Sequence, residues 1–237
     1  NMPQHPQPTQ NVKMMYLIRR NSDCSREELI AHWFANHMPS VIRTQSEQAA
    51  AGKLAASRYI ATLFEGGEWD GVAQLWFPRV PQTPAEPIGS RPMDSFQERV
   101  APYLPWATRE HVVLPGELPV EPLTLNAPFP TSRSGFLKIT YLVNAADDVN
   151  FEAFFTHWLD VHAPVVVDTM ATTGGFRYVV SQSLDPALAP YAGMAELYFE
   201  NESASQAFAR ALPDDGISAY IKNVETYSSH TEFIGIP

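Results

Sequence analysis

Two short segments of this 237-residue chain hold the residues best suited to chemistry, and they hold them at the same spacing. One reads His32-Trp33-Phe34-Ala35-Asn36-His37-Met38-Pro39, the other His157-Trp158-Leu159-Asp160-Val161-His162-Ala163-Pro164. Imidazole is the side chain that takes up and releases a proton near neutral pH. His37 and His162 are the sharper candidates. Each lies four residues past a tryptophan (Trp33, Trp158), on one stripe of a helix. Read as residues near a helix C-terminus, they gain from a dipole that favours imidazolium, while burial opposes it. A histidine tuned in this way can act as general acid or base on an enolisable substrate. The structural alternative is an imidazole that bonds a carbonyl and packs a helix end. His32 and His157 stand five residues earlier, about 140° around an ideal helix. Two metal ligands on one helix want a spacing of four. The pair is therefore not expected to chelate a metal, and His32 and His157 are read as helix-edge residues bonded to a neighbour.

Tyrosines recur in the same register. Tyr16 and Tyr141 occupy matching strand positions, and Tyr59 and Tyr178 each follow an arginine, Arg58 and Arg177. A phenol can donate to a carbonyl or enolate oxygen, and a guanidinium can hold an anion. Strand alternation sends Arg58 and Tyr59 to opposite faces, so only one of each pair can meet a given cavity. Sheet packing is the plainer role for these tyrosines. Trp33 and Trp158 are read as core anchors, with stacking on an aromatic substrate as the second option. His111 and His230, near the final strands, either line a pocket or face solvent. Glycine-rich phosphate loops and G-x-S-x-G elbows are missing from the sequence, which leaves nucleotide cofactors and serine nucleophiles unsupported.

The elements that position these residues come in duplicate. Val12–Ile42 aligns without a gap on Leu137–Val167, a shift of 125 residues with ten identities in 31 positions. Lys13–Arg20 and Phe136–Asn144 read as strands. Helices follow, capped by Ser25 and Asn150, with Ser25 and Glu28 in capping-box spacing. Pro39 and Pro164 predict a break or kink near the helix ends. Further strands are expected at 57–64, 71–77, 176–183 and 193–200. Second helices are expected at 95–104 and 202–212, with 217–224 extending or following the latter. Final strands are expected at 110–114 and 231–236. The order β-α-β-β-α-β, twice, is the ferredoxin-like pattern. The fold class is α+β, with a tail at 1–11, a first half at 12–114, a proline-rich linker at 115–134 and a second half at 135–237. A long irregular loop, 78–92, interrupts the first half. Each sheet is expected to leave one apolar face free of helices, and the linker would let the two faces pack together.

Composition sets outer limits. The 45 % apolar fraction supports a core, and the net charge of −10 repels phosphate backbones. The second half carries most of that acidity. No apolar run is long enough to span a membrane. Cys24 is the single cysteine, which excludes an intrachain disulfide and a cysteine-rich zinc site and fits a cytoplasmic setting.

The segment from His157 to Pro164 resembles the H-W-x-x-x-H-x-P signature of EthD-domain proteins, and 32–39 repeats it. The resemblance implies the dimeric α+β barrel superfamily, here as a fused pseudo-dimer. It includes cofactor-free monooxygenases, muconolactone isomerase-like enzymes and haem proteins of the chlorite dismutase type. The implied function is a cofactor-independent enzyme on an apolar or aromatic enolisable compound. Isomerisation, decarboxylation, dehydration and oxygenation all fit. His162 and His37 would move the proton, while Tyr141, Tyr178, Tyr16, Tyr59, Trp158 and Trp33 would bind the substrate. The alternative is a non-catalytic ligand carrier or accessory barrel. No metal and no cofactor are expected, with haem through one histidine as the remaining option. Partners are expected to be small molecules, not nucleic acid or membrane, with the chain a monomeric pseudo-dimer or a homodimer.

Overall fold

A computed structural model describes residues 6–118 and 128–237. Part of the linker, 119–127, and the first five residues, His5 among them, lie outside the described residues.

The first half opens with β1 (Pro8–Ile18), so the strand takes in the end of the segment read as a tail. It continues through α1 (Arg26–His32), a π-helical turn (Trp33–His37), α2 (Met38–Ala50), β2 (Arg58–Leu63), β3 (Gly71–Phe77) and β4 (Trp106–Pro115). After β5 (Thr131–Arg133) the second half repeats the order. It has β6 (Leu137–Ala145), α3 (Phe151–His157), a π-helical turn (Trp158–His162), α4 (Ala163–Ala171), β7 (Gly175–Ser183) and β8 (Gly193–Phe199). It ends with α5 (Glu202–Ala211), β9 (Ile221–Ser229) and β10 (Glu232–Ile236).

Both caps act as expected. Ser25 Oγ accepts from the Glu28 amide at 3.2 Å, and Asn150 Oδ1 accepts from the Ala153 amide at 3.0 Å. The prolines do not end the helices. Proline has no amide hydrogen, and its ring crowds the carbonyl four residues back. The helix relieves this by widening for one turn, closed by bonds from the Met38 amide to the Trp33 carbonyl and from Ala163 to Trp158. It then runs on to Ala50 and Ala171. His37 and His162 therefore lie inside long helical runs, and the C-terminal dipole argument for them falls.

Three further expectations change. Residues 95–104 form only a 3-10 turn, Gln97–Arg99, because Val100 bridges Arg20 in extended form and Pro102 bars a helix at Ala101. Residues 217–224 hold a 3-10 turn, Ile217–Tyr220, and then enter β9, a strand of the second-half sheet that pairs with β6. The helix-free face is also not apolar. Lys138, Thr140, Ser181 and Glu196 lie on it, 0–3 % exposed. Lys138 Nζ donates to Glu196 Oε1 at 2.6 Å, which makes the buried charge tolerable.

The chain forms two compact units, and they do not follow chain order. One holds residues 135–230 together with Thr108–Pro119; its strands run β4-β7-β8-β6-β9. The other holds Asn11–Ala107 with the C-terminal segment Thr231–Pro237; its strands run β5-β10-β2-β3-β1. Each half's closing strand is thus built into the other half's unit. The strand pairs β1–β3, β2–β3, β2–β10, β4–β7, β6–β8 and β7–β8 are antiparallel.

Candidate functional site

The register of β6 and β8 puts Ile139, Tyr141 and Val143 on the same face as Ala195 and Leu197. Tyr178 joins them from β7, opposite Leu197, and Thr226 from β9, opposite Tyr141. That face lies under the helices. Between it and the helices is a cavity of about 290 Å³. The second-half residues expected to form a site, Tyr141, Trp158, His162 and Tyr178, all line it. Its remaining wall is apolar and includes Val166, Phe208, Leu212, Ile217, Ile221 and Val224.

His162 has a partner that the sequence did not reveal. Its Nδ1 lies 2.6 Å from Asp215 Oδ2, and the carboxylate is almost buried. Asp215 Oδ1 accepts from the Ile217 amide at 3.0 Å and lies 3.5 Å from His157 Nε2. Burial alone would raise the Asp215 pKa. The hydrogen bond and charge of His162, the Ile217 amide and the bond to His157 outweigh it and hold the carboxyl below its ordinary value. An ionised carboxylate only accepts, so Nδ1 carries the hydrogen. Nε2 is then the basic nitrogen of the neutral ring.

The π turn explains why both histidines of the segment meet one aspartate. On an α-helix, residues five apart diverge by about 140°. A turn closed by i→i+5 bonds brings them toward one side. Among the described residues, no group of three or more His, Cys, Asp or Glu side chains is arranged to hold a metal ion.

The phenols keep their protons. Burial raises the Tyr141 pKa. It drives Tyr178 far above the ordinary tyrosine value, with the Trp158 indole N–H offsetting part of the rise. Both are held as hydrogen-bond donors. Arg177 lies on the opposite sheet face from Tyr178, as strand alternation requires.

The first half builds the same dyad. His37 Nδ1 lies 2.6 Å from Asp94 Oδ2, and Asp94 Oδ1 accepts from the Gln97 amide at 2.8 Å. Burial raises the Asp94 pKa, and the bonds from His37 and the loop amides bring it below its ordinary value. His32 is held differently: its Nδ1 meets Ser95 Oγ at 2.8 Å. Tyr16, Tyr59 and Trp33 sit where Tyr141, Tyr178 and Trp158 do in the second half, Tyr59 and Trp33 fully buried. Burial pushes Tyr16 up to about 12 and Tyr59 beyond that. The ring of Phe96, itself 0 % exposed, stacks on His37 with centroids 4.3 Å apart. Tyr103 meets Tyr16 edge-on at 6.3 Å. His111 is buried and lines a shallow groove with Arg109 and Gln182, apart from the His162 cavity.

Haem is tested by this chamber. A carboxylate on one imidazole nitrogen is the arrangement that commonly supports a metal-binding histidine. The chamber itself does not fit: about 290 Å³ is at the small end for ligand pockets, and among the described residues no lysine or arginine lines it to meet the propionates.

A family model described as "EthD domain" matches residues 146–225, which contain the π turn, His162 and Asp215. No curated protein matches the chain. Among solved structures, the chain is similar to a mutant chlorite dismutase from Candidatus Nitrospira defluvii in complex with cyanide. That likeness has a TM-score of 0.51, 11 % identity, and covers 94 % of this chain and 91 % of the other. It is also similar to a heme-binding protein from Thermus thermophilus (TM-score 0.48, 14 % identity, covering 97 % and 93 %). A putative monooxygenase from Lactobacillus acidophilus matches with a TM-score of 0.45, 7 % identity and 94 % coverage of both chains. At these identities the likeness concerns the fold. The fold class is that of ferredoxin-like α+β barrel proteins.

Proposed function

We propose that the second half is the working half of a cofactor-independent enzyme that moves a proton on a small, planar, enolisable compound. The observation that carries this reading is the His162–Asp215 dyad at the wall of an apolar cavity. Asp215 fixes the tautomer and stabilises the imidazolium, and His162 Nε2 takes a proton from carbon next to a carbonyl. The electron pair left behind moves onto the carbonyl oxygen. Tyr141 and Tyr178, kept neutral by burial, supply donors for that oxygen. The mostly apolar wall keeps the local dielectric low, which strengthens each of these interactions. Return of the proton to another carbon is isomerisation; expulsion of a β-hydroxyl, protonated to water by the His162 imidazolium, is dehydration; in decarboxylation the same enolate arises by loss of CO2, and the imidazolium protonates its carbon. A cytoplasmic setting belongs to the same reading, supported by a buried free thiol at Cys24 and by the absence, among the described residues, of a helix long and apolar enough to cross a membrane.

The test needs no knowledge of the natural substrate. 2-Tetralone has acidic hydrogens beside its carbonyl, and their exchange in D2O is read by NMR. The protein is expected to accelerate exchange, and His162→Ala to lower that acceleration by roughly 10²- to 10⁴-fold. No acceleration by folded wild-type protein that nevertheless binds bicyclic aromatic alcohols would favour the ligand-carrier reading.

A further inference from the structure

The internal repeat supplies a comparison between two copies of one site. Bridges Arg20–Val100 and Ala145–Ile221 align the segments that follow the second helical positions. By that alignment Asp94 matches Asp215, Phe96 matches Ile217, and Tyr103 matches Val224. The dyads have the same length, 2.6 Å in each half. The flanking residues differ in size. Ile217 and Val224 line an open cavity beside His162. Phe96 lies flat on His37, and Tyr103 fills the space beside Tyr16.

We infer that the first half contains a second ligand site, complete in its dyad and phenols, which is occluded by the side chains of Phe96 and Tyr103. Its ligand class is that of the second half: a planar one- or two-ring compound with an enolic or phenolic oxygen. The two rings stand where such a ligand would lie, with Phe96 in the stacking position over the imidazole. Positions 96/217 and 103/224 therefore decide how many ligands the chain binds. This inference rests on the second-half cavity being a binding site, as proposed above.

The experiment is isothermal titration with 2-naphthol, a stable analogue of a bicyclic enol. Wild type is expected to bind one equivalent. Phe96→Ile with Tyr103→Val is expected to bind two, and Ile217→Phe alone to bind none. Ile217→Phe added to the double variant is expected to return it to one. Circular dichroism and thermal melts establish that each variant is folded. If the double variant is unfolded, Ile217→Phe decides: a folded variant that still binds one equivalent overturns the assignment of these positions. A folded double variant that still binds one equivalent overturns the second site while leaving the first intact. Wild type that binds none overturns the functional reading, and this inference with it.

Discussion

Asp215 fixes one imidazole nitrogen and leaves the other free for chemistry, so its replacement separates position from charge. Asp215→Asn preserves shape but no longer requires Nδ1 to carry the hydrogen. Exchange of 2-tetralone is expected to fall by roughly 10²-fold, with the fold intact by circular dichroism. The same carboxylates carry an acid-stability signature. Asp94 and Asp215 both have pKa values below the ordinary one in the folded protein. Their contribution is full above the unfolded value and is lost as pH falls through the folded value. Asp94→Asn should therefore cost stability at pH 6, and the difference from wild type should shrink as denaturation is repeated toward pH 3. Of the candidate site residues, the histidines, tyrosines and tryptophans were legible from their spacing within local elements. The two aspartates were not. They lie 53 and 57 positions from their histidines, inside segments where the repeat retains little beyond the Asp and a proline two residues before it, Pro92 and Pro213.

At the scale of the element, the widened turn sets the histidine's aim. The sequence announced a disturbance at Pro39 and Pro164 and left open what form it would take. A proline at a helix end and a proline that widens a turn read alike; what followed, a further run of helix in each half, decides between them. Pro164→Ala restores the missing amide and permits a regular α-turn. Exchange activity is expected to fall by roughly tenfold to a hundredfold, since a shift of about 1 Å in a catalytic group is enough, while the melting temperature holds or rises. Strand β8 adds a steric constraint from the other side. A Cβ at Gly193 would lie 2.9 Å from the Trp158 ring and collide with the Ser181 carbonyl. The first half repeats this at Gly71, against Trp33 and the Thr62 carbonyl. Gly193→Ala is expected to cost about 1–3 kcal/mol in chemical denaturation, as overpacking does. Strand β9 escaped sequence reading because Lys222, Asn223 and Glu225 break the apolar alternation on which strand recognition depends.

At the scale of the molecule, the repeat disclosed two ferredoxin-like halves but not the exchange of their closing strands. Pairing partners far apart in sequence leave no local trace, and β4 and β10 look like ordinary last strands of the halves that precede them. The exchange predicts where a truncation will be felt. Removing residues 231–237 deletes β10, which pairs with β2 and carries Glu232 in an ion pair with Arg133 at 3.0 Å. Although the cut falls at the end of the second half, amide hydrogen exchange is expected to accelerate in β2, residues 58–63, of the first. Protection in β6 and β8 is expected to change less.

The borrowed strands also bear on how such a chain can change over generations. A half that supplies its neighbour with a strand stays under selection for folding even if its own pocket does nothing. Duplication followed by this mutual dependence would keep both copies while freeing one from its chemistry. Phe96 and Tyr103 are the marks such relaxed selection would leave, and an ancestor with smaller residues there would have had two equivalent sites.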